Sequence, residues 1–111
     1  IIFLSGNRKL TAQELAIQAG PWLDFYGSFE GKDDPASGIT LFCHPSNPGY
    51  PEPWILRNAK SMQNPAFPGR HAVDLTNEGW RLQYRLMIHS GALHTGDLER
   101  MYREYAQLKF Q

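Results

Sequence analysis

Hydrophobic positions in this chain recur mostly with a period of two and, near the C-terminal end, with a period close to 3.6. Ile1-Ile2-Phe3-Leu4 combines β-branched and aromatic residues and reads as a strand entered in mid-course. Residues 22–30 alternate, with Leu23, Phe25, Gly27 and Phe29 on one side and Asp24 and Tyr26 on the other. Residues 39–44 are apolar almost throughout, as in a strand buried on both faces. A turn-forming stretch at 31–35 lies between them, so the two strands predict a hairpin. The clearest alternation is in residues 80–89: Trp80, Leu82, Tyr84, Leu86 and Ile88 share a face and predict core. Arg81, Gln83, Arg85, Met87 and His89 share the polar one.

Two segments carry helical signals. Thr11 and Glu14 have the spacing of a capping box, predicting a helical turn that Gly20-Pro21 ends. Leu98, Met101, Tyr102, Tyr105 and Leu108 form the stripe of an amphipathic helix, with Thr95 or Asp97 available as its cap. Residues 45–69 hold six of the eight prolines, which removes backbone donors and predicts a shaped loop region. Within it, residues 54–57 and 62–67 read as short edge-type strands. The sum is a mainly β chain, an antiparallel β-sandwich or the C-terminal half of a larger one, with one C-terminal helix. No repeat, low-complexity tract or linker divides residues 1–111, so they read as one β-rich domain.

Composition narrows the function classes. Of 111 residues, 41% are hydrophobic and 20% charged, as in a globular chain, and 11 basic side chains balance 11 acidic ones. That balance gives no electrostatic footprint for a phosphate backbone or an anionic bilayer, so neither nucleic acid nor membrane is expected as a partner. No apolar run reaches the roughly 20 residues of a spanning helix. A single cysteine closes no internal disulfide, and no glycine cluster forms a phosphate-binding turn, so no cofactor is expected.

The chemistry concentrates in residues 44–54, where an imidazole, an amide, a carboxylate and two aromatics share a proline-stiffened loop. Such a loop holds polar groups at fixed positions, as a binding site requires, and it equally suits a plain crossover with Trp54 as a core plug. Cys43 and His44 point to opposite faces of a strand and do not form a dyad. Ser46 lacks the glycine pattern of a nucleophile elbow. His44, His71, His89 and His94 could join Asp24 or Glu52 at a metal, but their spacing does not call for one, and no metal is expected. Arg81, Arg85 and His89 recur on one face of a sheet and could line a ligand floor, and an ordinary solvated face would carry the same residues. Trp22, Tyr26, Tyr50 and Trp54 could stack on sugar rings, and Asp24, Glu30 and Glu52 are the carboxylates best placed for acid–base work.

Residues 22–27, Gly38-Ile39, His44-Pro45-Ser46-Asn47-Pro48, Pro53-Trp54, Asn64-Pro65 and Tyr84-Arg85-Leu86 with His89 and Gly91 together resemble the PmoA-like family of bacterial proteins. That family bears the label "methane oxygenase PmoA" and is otherwise a domain of unknown function. The resemblance spans about residues 20–92 and implies that the chain is the C-terminal part of a longer protein. It implies a β-sandwich of the sugar-epimerase type and an association with carbohydrate processing. Its matching positions are His44, Ser46, Asn47, Trp54, Asn64, Arg85 and His89, with Asp24 next. The methane-oxidising label itself fits poorly, because the monooxygenase subunit of that name is a multi-helix membrane protein.

Three readings follow. In the first, the protein binds or acts on a carbohydrate, with His44 and Asp24 as catalytic groups and Ser46, Asn47, Trp54, Asn64, Arg85 and His89 binding substrate. In the second, it is a non-catalytic accessory or interaction module. In the third, it is a metal-dependent oxygenase using His44, His89 and a carboxylate. A sandwich lacking partner strands would also be expected to self-associate through them.

Overall fold

The computed structural model describes residues 2–5, 8–13, 15–28, 36–57, 63–69, 72–75 and 77–109. Seven strands and one helix follow one another: β1 Ile2–Ser5, β2 Arg8–Leu10, β3 Trp22–Gly27, β4 Ser37–Cys43, β5 Trp54–Leu56, β6 Gln63–Pro65, β7 Tyr84–Ser90 and α1 Thr95–Ala106. Five of them form an antiparallel sheet in the order β2-β1-β3-β4-β7, and β5 pairs with β6 in a second, two-stranded sheet. The protein is thus mainly β, with the hairpin β3–β4 at the centre of the large sheet and one C-terminal helix.

Register sorts the side chains of the large sheet onto two faces. Trp22 lies opposite Phe42, and Asp24 opposite Thr40. Across the next pair, Phe42 lies opposite Arg85, Thr40 opposite Met87 and Gly38 opposite His89. This first face packs against α1, whose Leu98, Tyr102 and Tyr105 close over Trp22, Phe42 and Met87. The alternate residues, Phe3, Leu23, Leu41 and Cys43, point the other way and meet Trp54 and Leu56 of β5. Because the side chains of a strand alternate, Trp54 and Leu56 face inward together while Ile55 between them faces outward. The Trp54 indole also donates to the Gly20 carbonyl at 2.8 Å, so its one polar atom is satisfied in the core.

The segment before β3 is not helical. In the described part of residues 11–20, the backbone runs alongside β5: Gln13 N–H donates to the Leu56 carbonyl, while Ile17 and Trp54 exchange N–H···O bonds of 2.9 and 2.7 Å. Tertiary pairing has overridden the capping signal, whose Glu14 lies outside the described residues. The strand Arg8–Leu10 has no alternation long enough to predict it, and it forms by returning along β1, with Phe3 opposite Leu10.

The expectation for residues 80–89 is also reversed. The strand begins at Tyr84, and its apolar face is the outer one, with Leu86 58% and Ile88 78% exposed. Trp80 and Leu82 precede the strand and are exposed as well. Met87 and His89 from the opposite face are instead the partly covered ones. The reason lies in how the layers are shared out. Helix α1 covers the Met87 face as far as the β7 edge, whereas the small sheet covers the other face only over β1, β3 and β4.

This inversion predicts unequal costs on one strand. Met87→Ala should lower unfolding free energy by about 2 kcal/mol, and Ile88→Thr should change it by no more than about 0.5 kcal/mol, both by urea denaturation. The reverse order would mean that the outer face, not the helix face, carries the packing.

Candidate functional site

His89 stands on the edge strand β7 yet reaches Asp24 two strands away. Its ring lies across β4 at Gly38, where a Cβ would meet His89 Cε1 at 2.6 Å and Nε2 at 2.8 Å. Only glycine leaves that path open. His89 Nε2 lies 2.6 Å from Asp24 Oδ1, and the same oxygen accepts from Thr40 Oγ1 at 2.8 Å. On its other side the ring contacts the Gly91 carbonyl at 2.8 Å; a carbonyl only accepts, so Nδ1 donates. Both ring nitrogens are therefore occupied, and β3, β4 and β7 are clipped together. The pair is closed off from water, the side chains being 6% and 0% exposed. Asp24 Oδ2 has no hydrogen-bond partner among the described residues.

His44 follows β4 directly and is tied differently. The Ser46 backbone N–H donates to its Nδ1 at 3.1 Å, so that nitrogen carries the lone pair and Nε2–H donates to the Leu108 carbonyl at 2.7 Å. The Ser46 hydroxyl lies 2.8 Å from the same Nδ1. The imidazole thus staples the proline loop to the chain just beyond α1. Its ring meets Tyr105 edge-on, with centroids 5.2 Å apart, and the Arg85 guanidinium lies 4.8 Å from the centroid of that tyrosine. His44 and Arg85 consequently converge, but on an aromatic ring of α1. His89 belongs to the separate Asp24 cluster.

The other expected positions are spread out. Asn47 is a two-pronged clamp: its Nδ2 donates to the Gln83 carbonyl at 2.9 Å, and its Oδ1 accepts from the Gln83 N–H at 2.7 Å. Trp54 is fully buried. Asn64 Nδ2 donates to the Pro65 carbonyl at 2.7 Å. Tyr50 does bring the loop to the helix, its hydroxyl lying 2.6 Å from that of Tyr102, which donates to the Cys43 carbonyl. Trp22 donates to Glu99 Oε1 and packs under α1. Capping of α1 falls to His94, whose Nδ1 accepts from the Gly96 N–H, and not to Thr95 or Asp97. His71 and Glu30 lie outside the described residues.

A second buried carboxylate, Glu52, sits beside the Cys43 thiol and the Tyr84 phenol with no well-formed hydrogen bond to a described residue. Burial pushes the Cys43 thiol and the Tyr84 hydroxyl well above their ordinary ranges, and the neighbouring carboxylate pushes both further. Burial likewise raises Tyr102, with the Tyr50 hydroxyl adding to it. For Tyr105, burial raises the phenol and the Arg85 charge partly offsets the rise. None of these groups is poised as a nucleophile at neutral pH. Among the described residues, no three His, Cys, Asp or Glu side chains group as metal ligands.

Open space lies elsewhere. One cleft of about 410 Å³ is lined by Ser46, Pro48, Gly79, Trp80, Arg81 and Gln83. Another, of about 390 Å³, lies over the small sheet between Leu15, Ile55, Arg57, Asn64 and Phe67. The Phe67 and Trp80 rings stand between them, edge to face with centroids 5.3 Å apart. Of the expected site residues, Ser46 reaches the first cleft and Asn64 the second. Arg81, expected as part of a cationic ligand floor with Arg85 and His89, lines the first cleft apart from them. Trp80 and Arg57 were not legible as site residues: Trp80 reads as core from its alternation, and an arginine in a proline-rich loop reads as solvated.

A model of a family of unknown function, DUF6807, matches residues 2–103. No curated protein and no solved structure matches the chain. With nine-tenths of its length inside that match, the chain belongs to this family of unknown function. Nothing in the match links it to PmoA or to a methane oxygenase, so the resemblance drawn from its motifs holds only at the level of an uncharacterised family.

Two outcomes follow from this geometry. Gly38→Ala should displace the His89 ring and cost at least about 2 kcal/mol in denaturant unfolding, through the buried carboxylate left unpaired; a wild-type midpoint would show that the ring does not cross there. Cys43 should resist Ellman's reagent in the native protein and react at once in denaturant, and fast labelling of the folded protein would contradict its burial.

Proposed function

We propose that this member of the DUF6807 family is a non-catalytic binding module whose ligand is a carbohydrate, seated in the cleft between the 44–49 loop and residues 79–83. The observation that carries the reading is Trp80. Its indole is 39% exposed, fixed edge-on against Phe67, and shares the cleft with Arg81 and Ser46. An aromatic face beside a guanidinium and a hydroxyl is the chemistry that stacks on a sugar ring and pairs with its oxygens. The cleft walls are held before any ligand arrives, because the Asn47 clamp ties the loop to Gln83. Preorganisation of that kind lowers the entropy lost on binding.

Binding is favoured over catalysis because the groups expected to move protons are already engaged. His44 has both ring nitrogens in hydrogen bonds, and Asp24 is sealed under its histidine. Trp54, expected to stack on a ring, is a core residue, and Trp80 takes that role in this reading.

Titration calorimetry against a panel of soluble neutral oligosaccharides tests the proposal. The native protein should bind at least one, Trp80→Ala should weaken it by about tenfold or more, and Arg81→Ala should weaken it less. Arg81→Ala should leave the melting temperature unchanged, and Trp80→Ala should lower it only slightly, through the lost contact with Phe67. Failure of the native protein to bind any saccharide at millimolar concentration, or full retention of binding by Trp80→Ala, would overturn the reading.

A further inference from the structure

The second cleft has a different chemistry and stands independently of the carbohydrate reading. Leu15, Ile55, Pro65, Phe67 and Pro68 give it apolar walls, and Arg57 is the one charged residue among the described residues that line it. Arg57 closes the end of β5, where Gln63 Nε2 donates to its carbonyl at 2.9 Å and fixes the backbone. Its side chain is half-buried, and Nε is fully covered without a hydrogen-bond partner among the described residues. With Nε covered, it is the terminal nitrogens of the guanidinium that can meet an acceptor oxygen from the cleft.

We infer that this cleft binds a small apolar monocarboxylate, its carboxylate paired with the Arg57 guanidinium and its hydrocarbon or aromatic body against Phe67, Ile55 and Leu15. The planar fork of an arginine matches the two oxygens of a carboxylate. One cation balances one negative charge, so a doubly charged phosphate would leave charge unpaired among apolar walls. A volume of about 390 Å³ admits a ligand of one ring and a short chain.

The test uses 4-phenylbutyrate and its uncharged analogue 4-phenylbutanamide, titrated into the native protein and followed by heteronuclear NMR. The acid should bind about tenfold or more tightly than the amide, with shifts centred on Ile55, Arg57 and Phe67. Arg57→Met should erase the preference while leaving weak binding of both, and Phe67→Ala should weaken both alike. The comparison of acid with amide on the native protein needs no variant, so a poorly folded substitution does not decide the matter. Equal affinity for acid and amide, no binding of the acid at millimolar concentration, or a preference that survives Arg57→Met would overturn the inference. The acid–amide comparison on the native protein and on Arg57→Met does not bear on saccharide binding at Trp80.

Discussion

The packing of α1 onto one face of the five-stranded sheet is the constraint from which the rest follows. Leu98, Tyr102 and Tyr105 are buried there against Trp22 and Phe42, and burying aromatic and branched side chains of this size is worth about 1.5–3 kcal/mol each. The same face also carries Asp24, Thr40, Arg85 and His89. Once the helix lies over it, a polar group on that face must find a protein partner or remain a costly orphan. The observed contacts answer most of that demand: an imidazole over a glycine onto one oxygen of a carboxylate, a guanidinium over a tyrosine ring, and a second imidazole bonded to the carbonyl that follows the helix.

The sequence and the structure agree where a local rule is strong and part where coverage by another layer decides. Residues 22–27 and 37–43 alternate or run apolar, and they form the central hairpin. Leu98, Tyr102 and Tyr105 have helical spacing and are buried in a helix. Leu86 and Ile88 alternate just as clearly, yet they are exposed. Period two reveals that a strand has two kinds of face, but not which one another element will cover. Residues 11–19 illustrate the same limit, since β5 offered that stretch backbone partners that outweighed a capping signal. Gly38 could not be recognised as a passage for His89 without knowing that the two residues are opposite each other.

For the candidate site, the sequence and the structure draw attention to different residues of one region. The 44–49 loop is stiff and rich in hydrogen bonds, as its composition suggests, but His44, Asn47 and Tyr50 spend their polar atoms on holding it to β7 and α1. What they hold in place is the wall of a cleft whose exposed groups, Trp80 and Arg81, come from the segment leading into β7. Residues that look chemical in one dimension are thus engaged in hydrogen bonds within the fold in three. Trp80, which a reading by pattern gives to the core, and Arg81, which it gives to a cationic sheet face, line that cleft instead.

The central claim is that the polar groups on the helix-covered face are coupled to one another as a scaffold, and a double-mutant cycle on His89 and Asp24 tests it most directly. Urea unfolding of His89→Gln, Asp24→Asn and the double variant should yield a coupling of about 1 kcal/mol or more, the double change costing less than the sum of the single ones. Additivity to within about 0.3 kcal/mol would contradict the account, because two side chains that do not feel each other's loss cannot be the clip that joins β3 to β7.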